Sequence, residues 1–262
     1  MKIAINLSGH TRHYKGEPYE NLKKKILDKY DCDVFISTWK QTGSNRRFSI
    51  KPLEKSNNDL FNEAEILDLY RPKKYEIHDE NVDFVDDYIK WYSHLGCDLT
   101  THHGDWIYEY KLEPYNNFSI AAIMLHKIMS CNSLIKKYME ETHVWYDYIL
   151  RIRFDVVYTH FDLSSITDNN YLYFWTHPTL PEVLGVCDSF WIGGVAPTFL
   201  MADKFYERLE QMKNETAYDY ANNEHWLYKF LLSSNIPYKA NNNFMFYDGR
   251  VFSGPRQMHV KC

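Results

Sequence analysis

The chain has no CxxC pair, and its five cysteines (Cys32, Cys97, Cys131, Cys187, Cys262) are odd in number and widely spaced. That excludes a disulfide frame or a structural zinc site as its organising device, and predicts reduced thiols in a cytoplasmic setting. Basic charge is in short supply too. The net charge of −5 gives no basic face for phosphate backbones, so a nucleic-acid partner is not expected. Lys23-Lys24-Lys25 is the only lysine run, and in a helix it falls largely on the solvent side. No apolar run approaches the roughly 18 residues of a membrane span, and Met1–Leu7 is too short for the apolar core of a signal peptide. The expectation is a protein with no membrane span. There is no G-x-G-x-x-G and no P-loop lysine pattern, which removes the familiar dinucleotide and nucleoside-triphosphate cradles. Repeats, low-complexity tracts and linkers rich in Pro, Gly or Ser are also missing, so residues 1–262 are expected to form one domain.

What the chain does have is rings: 22 Tyr, 15 Phe and 7 Trp. Most must be core or half-buried, and some can serve as platforms for the apolar faces of sugars. Lys2–Leu7 reads as a buried strand that opens into the loop Ser8-Gly9-His10-Thr11-Arg12. Pro18 suits the first turn of a helix whose stripe is Tyr19, Leu22, Ile26 and Tyr30. Asp33–Trp39 is a second strand, Asp59–Tyr70 a helix stopped by Pro72, Tyr75–His78 a third strand and Val82–Tyr92 a helix. This alternation predicts an α/β fold, a mainly parallel twisted sheet with helices on both faces. Further on, Phe118–Glu141 is a long helix, Tyr171–Trp175 and Ser189–Ile192 are strands, and Thr198–Met212 and Asn223–Leu232 are helices. An extended tail follows from Ile236.

The most distinctive stretch is Tyr146–Tyr158. Read with period two, Tyr148, Leu150, Ile152, Phe154 and Val156 point one way and Arg151, Arg153 and Asp155 the other, which predicts one strand with a charged row. Residues i and i+2 are roughly 6.6 Å apart on a strand, so two guanidiniums and a carboxylate would stand in line near the strand's carboxyl end. An anion held with the help of a cation would satisfy all three; an intrastrand ion pair is the plainer alternative.

Three further groups stand out. In the first loop, Ser8 and Thr11 can donate to phosphate or ribose, Gly9 allows close approach, and Arg12 can grip a diphosphate at two points. Asp188 opens the stretch Cys187–Gly194 and can accept from sugar hydroxyls, while Gly193-Gly194 ends it where backbone must approach something closely. Glu224 falls in the first turn of a late helix, on the face of Leu227 and Leu231, a position suited to a general base. His94, Cys97, Asp98, His102, His103 and Asp105 are ligand types at no recognised zinc spacing, and His259 could supplement Asp155 on a cation.

Together these pieces resemble nucleotide-sugar-dependent glycosyltransferases of the GT-A type, above all the small polysaccharide- or capsid-decorating enzymes of bacteria and large DNA viruses. The resemblance rests on Ser8–Arg12, Asp33–Trp39, Tyr146-Asp147 running into Arg151–Asp155, Asp188–Gly193 and Glu224, in that order along the chain. It implies a nucleotide-binding half, about 1–160, and an acceptor half, about 161–262. It implies a UDP- or GDP-sugar donor, bound through Ser8, Gly9, Thr11, Arg12, Arg151, Arg153 and Asp155, and a glycan or glycoprotein acceptor. Asp155, with His259, would hold Mn²⁺ or Mg²⁺ where such enzymes carry Asp-x-Asp. This chain has Arg153 in place of the first aspartate, and a guanidinium can neutralise diphosphate where a cation otherwise would. Glu224 or Asp188 would act as base in an inverting transfer. A metal-dependent hydrolase built on His94–Asp105 and a non-catalytic carbohydrate-binding domain are the alternatives.

Overall fold

The computed structural model describes residues 1–11, 14–40, 61–78, 117–176, 186–212, 223–241 and 245–248. A seven-stranded sheet runs through it. Its strands are β1 (Lys2–Ser8), β2 (Asp31–Trp39), β3 (Lys74–His78), β4 (Tyr148–Ile152), β6 (Leu172–Thr176), β7 (Val186–Gly194) and β8 (Tyr238–Ala240), in the spatial order β3-β2-β1-β4-β7-β6-β8. Every pairing is parallel except those of β7, which runs antiparallel to both β4 and β6. A separate ribbon pairs β5 (Val156–His160) with β9 (Met245–Asp248).

Helices cover both faces, which is why the central strands are buried throughout instead of alternating. On one face α1 (Glu17–Leu22) and α2 (Glu63–Tyr70) bring Leu22, Ile66 and Tyr70 onto Ile3, Ile5, Leu7, Val34 and Ile36. On the other, α3 (Asn117–Thr142) sets Cys131, Ile135 and Met139 against Ala4, Phe35 and Ile149. Beside it α4 (Val195–Met212) and α5 (Asn223–Ser233) bury Met201, Phe205, Leu227, Phe230 and Leu231 against Phe174 and Trp191. No described helix is long and apolar enough to cross a membrane.

The local signals explain the element ends. Pro18 sits in the first turn of α1, which widens into a π-helical turn at Lys23–Leu27. Asn62 caps α2 by accepting from the Glu65 N–H at 3.3 Å, and Arg71 ends it in the left-handed region at φ 44° before Pro72. The predicted helix Val82–Tyr92 lies outside the described residues.

One expectation is corrected. Tyr146–Tyr158 is not one strand: pairing stops at Ile152, residues Arg153–Asp155 turn, and β5 leaves the main sheet to pair with β9. Arg151, Arg153 and Asp155 therefore do not form a row on one strand face. Period two could not reveal the break, because Phe154, Val156, Val157 and Tyr158 are all buried and the alternation has already lapsed there.

Candidate functional site

From β1 the chain steps outward to β2 and then β3, whereas β4 lies on the other side of β1. The reversal leaves a crevice outside the carboxyl ends of β1 and β4, the usual ligand position in an open α/β sheet. Leu7 pairs with Ile152, so the loop starting at Ser8 and the turn starting at Arg153 leave the sheet side by side, about 4.8 Å apart.

The first loop is held from behind. Asn6 is fully buried and donates to Ile128 O at 2.9 Å and to Asn132 Oδ1 at 2.7 Å, which fixes α3 beneath β1. Ser8 Oγ donates to Asn6 Oδ1 at 2.7 Å, so its proton is turned inward. Gly9 has φ +106°, a conformation open to glycine and costly for other residues. Its N–H donates to Ser37 O at 3.1 Å and its carbonyl accepts from Thr38 Oγ1 at 2.7 Å, tying the loop to β2. Beyond its Cα lies open space among the described atoms. Thr11 is fully buried, and its hydroxyl has no hydrogen-bond partner among the described residues.

From the β4 side, Arg151 is fully buried on the α3 face. Its guanidinium lies 5.6 Å from the centre of the Trp191 ring, with Nη2 3.5 Å from Ser8 O. Arg153 and Asp155 clasp each other within the turn, Nε donating to Oδ1 at 2.8 Å and Nη2 to Oδ2 at 2.5 Å. Asp155 is 1% exposed and the Arg153 side chain 16%. Ser8 and Gly9 at the start of the loop thus stand beside the Arg153–Asp155 turn, whose acid is already bridged by its own cation, while Thr11 and Arg151 are enclosed.

Asp188 and Glu224 are located by their elements. Phe190 pairs with Ile152 in the antiparallel β4–β7 register, so Asp188, two residues earlier, lies beyond the carboxyl end of β4, at the level of the Arg153–Asp155 turn. Only residues 234–237 separate α5 from β8, whose Tyr238 pairs with Leu172 at the amino edge. So α5 runs back toward that edge, and Asn223-Glu224 opens it on the carboxyl side. Arg12, His259 and the group His94, Cys97, Asp98, His102, His103 and Asp105 lie outside the described residues.

Other residues singled out in the sequence serve the opposite end of the sheet. Asp33 accepts from Tyr146 Oη at 2.8 Å and lies 3.3 Å from Lys2 Nζ and 3.4 Å from Lys73 Nζ, while Asp147 accepts from the Lys2 N–H at 2.7 Å. These contacts fasten the amino ends of β1, β2 and β4. The close approach required by Gly193-Gly194 is also there: a Cβ on Gly194 would stand 1.6 Å from Asn169 O. At this end a polar cavity of about 450 Å³ opens between β2, α1 and α2. Its Lys23 and Lys73 are already matched by Asp28 and Asp33, and Arg71 is its third cation.

The sequence reading missed a second polar group at the carboxyl side, under α3. Lys127 is fully buried, its ammonium 4.1 Å from the centre of the Trp39 ring and 2.8 Å from His78 Nδ1. Burial pushes Lys127 down to about 8, against the attraction of Glu76. Glu76 accepts from Ser37 Oγ at 2.5 Å and lies 3.8 Å from His78 Nε2. The available signal was Lys127 at the spacing of an apolar stripe, three residues after Met124 and four before Cys131.

The donor set does not suit a divalent cation as it stands. Asp155 is covered by a guanidinium, whose charge opposes a second cation, and no group of three or more His, Cys, Asp or Glu among the described residues is arranged to hold a metal. No protein-family model matches the chain, and no curated protein matches it.

Proposed function

We propose that the chain is a GT-A-like glycosyltransferase that moves a sugar from a nucleoside-diphosphate sugar to a hydroxyl of a glycan or glycoprotein acceptor. The reading is carried by one observation: the Ser8–Thr11 loop and the Arg153–Asp155 turn share the crevice at the switch point. Open space over Gly9 and the buried hydroxyl of Thr11 suit a phosphate oxygen, and the Arg153 guanidinium, paired with Asp155, stands beside them as a donor.

The chemistry is a displacement at the anomeric carbon. The acceptor oxygen forms a bond to that carbon, the carbon–oxygen bond to the diphosphate breaks, and its electron pair leaves with the phosphate. Charge grows on the departing oxygens, so Arg12, Arg151 and Arg153 stabilise that stage. The acceptor's proton goes to Glu224 or Asp188, and attack opposite the leaving group inverts the centre.

The test is calorimetric titration and thermal shift with UDP and GDP, with and without Mn²⁺, followed by measurement of nucleoside diphosphate released from UDP- and GDP-sugars. A ligand at 100 times its Kd stabilises by about 2.7 kcal/mol. Binding with turnover that Glu224→Gln or Asp188→Asn removes supports the enzyme. Silence toward every nucleotide overturns it. That silence would favour the second reading, a carbohydrate-binding domain without turnover, for which the Arg153–Asp155 pair is simply a structural clasp.

A further inference from the structure

Register puts Ser8, Ser37 and Glu76 in one line across β1, β2 and β3, and His78 beside Trp39 one step closer to the carboxyl edge. Glu76 and His78 therefore stand on the outermost strand among the described residues, two strand spacings or about 10 Å from the crevice. That is a distance a ribose and two phosphates can cover. Both side chains are partly open, 23% for Glu76 and 39% for His78.

Their hydrogen-bonding directions are fixed from behind. An ammonium has only donors, so Lys127 Nζ donates to His78 Nδ1 and leaves the ring proton on Nε2. Glu76 is anchored by Ser37 Oγ, and its carboxylate keeps further lone pairs. The edge thus offers a carboxylate with room to accept and, next to it, one ring N–H that donates. A buried lysine against a tryptophan face is a costly way merely to plug a sheet edge.

Nucleobases answer this pattern differently. Guanine carries two adjacent donors, N1–H and the N2 amine, beside the O6 acceptor: the carboxylate takes both donors and the imidazole N–H meets O6. Uracil carries one donor between two carbonyls, so the second carboxylate oxygen would face a carbonyl. Adenine has no ring N–H on that edge. We infer that Glu76 and His78 form a guanine-reading edge, positioned by Lys127, and hence that the donor of the proposed transfer is a GDP-sugar. This rests on the glycosyltransferase reading and narrows it to one class of donor.

Calorimetric titration of the full chain with GDP, inosine diphosphate, UDP and ADP tests it without any variant. GDP should bind roughly 10–100-fold tighter than UDP or ADP, because a site built to pair polar groups penalises a ligand that leaves them unpaired. Inosine diphosphate lacks only the N2 amine and should fall roughly 5–10-fold behind GDP. Glu76→Gln should erase most of the GDP preference, weakening GDP while UDP affinity holds or rises, because the amide N–H can meet the uracil carbonyl that the carboxylate repels. Lys127→Met, which frees the His78 tautomer, should lower the GDP-to-UDP ratio without moving UDP affinity. Equal or tighter binding of UDP overturns the guanine assignment and leaves the enzyme standing. So does a Glu76→Gln variant that weakens both nucleotides alike, since that marks a structural acid. Failure of all four nucleotides to bind removes the enzyme itself.

Discussion

Replacing Lys127 with Met should change how stability depends on pH, by an amount the burial of this lysine sets. Its ammonium is enclosed by Trp39 and His78 with Glu76 nearby, and burial brings it from 10.5 to about 8. Below pH 8 both the folded and the unfolded chain carry the proton, and folding bears the full desolvation cost. Between about 8 and 10.5 the unfolded chain still binds a proton that the folded chain has released, so this residue's contribution to stability rises with pH. From pH 7.5 to pH 9 the gain is about 1 kcal/mol. Burial holds the Cys32 thiol up at about 12, which costs stability over the same interval, but wild type and variant share that effect. The quantity to measure is therefore the difference between the two unfolding free energies, from urea titrations followed by tryptophan fluorescence at pH 7.5, 8.2 and 9. Wild type should gain on Lys127→Met by about 1 kcal/mol across the series. A difference that stays constant with pH would mean that the lysine keeps its proton in the folded chain, and the account of its burial would be wrong.

The other expectations are simpler. Asp155→Ala removes a bidentate carboxylate from a guanidinium that is only 16% exposed and should cost about 3 kcal/mol, whereas Arg153→Met with Asp155→Leu should recover much of it; a loss under about 1 kcal/mol in urea would demote the clasp. Gly9→Ala forces an alanine to φ +106° without any clash, so the backbone alone should cost about 1–3 kcal/mol. An unchanged urea midpoint would show that the loop relaxes. Asn6→Ala leaves the Asn132 oxygen and the Ser8 hydroxyl without their buried partner and should cost about 2–4 kcal/mol, read as a lowered Tm; a neutral result would mean that water replaces the amide.

Periodicity and breakers made much of the fold legible. Apolar runs of strand length revealed β1, β2 and β3, Pro18 and Pro72 marked a helix start and stop, and the long stripe revealed α3. Strands buried on both faces have no polar side, so Arg151 read as one of three members of a charged row when it is enclosed against Trp191. The turn at Arg153–Asp155 was invisible for a related reason: it carries no Gly, Pro, Asn or Ser, and its stability comes from an ion pair formed between its own ends. Glycine pairs are ambiguous in sequence, and Gly193-Gly194 proved to accommodate Asn169 and Leu172 across a strand pairing instead of a ligand. The Glu76–His78–Lys127 group could not be read as a group, because Lys127 lies 49 residues beyond His78 and meets it only after α3 has packed on the sheet.

The reversed direction of β7 has an evolutionary side. In an all-parallel sheet the rim of the cleft is built from exits, the segments by which strands hand the chain to helices. Here one entrance joins them, since β7 begins at that rim and carries the chain away from it. Substitutions at the start of β7 would alter that rim while the β4–β7 ladder, which begins at Phe190, stays in register. Such an architecture lets one wall of the rim diversify independently of the other.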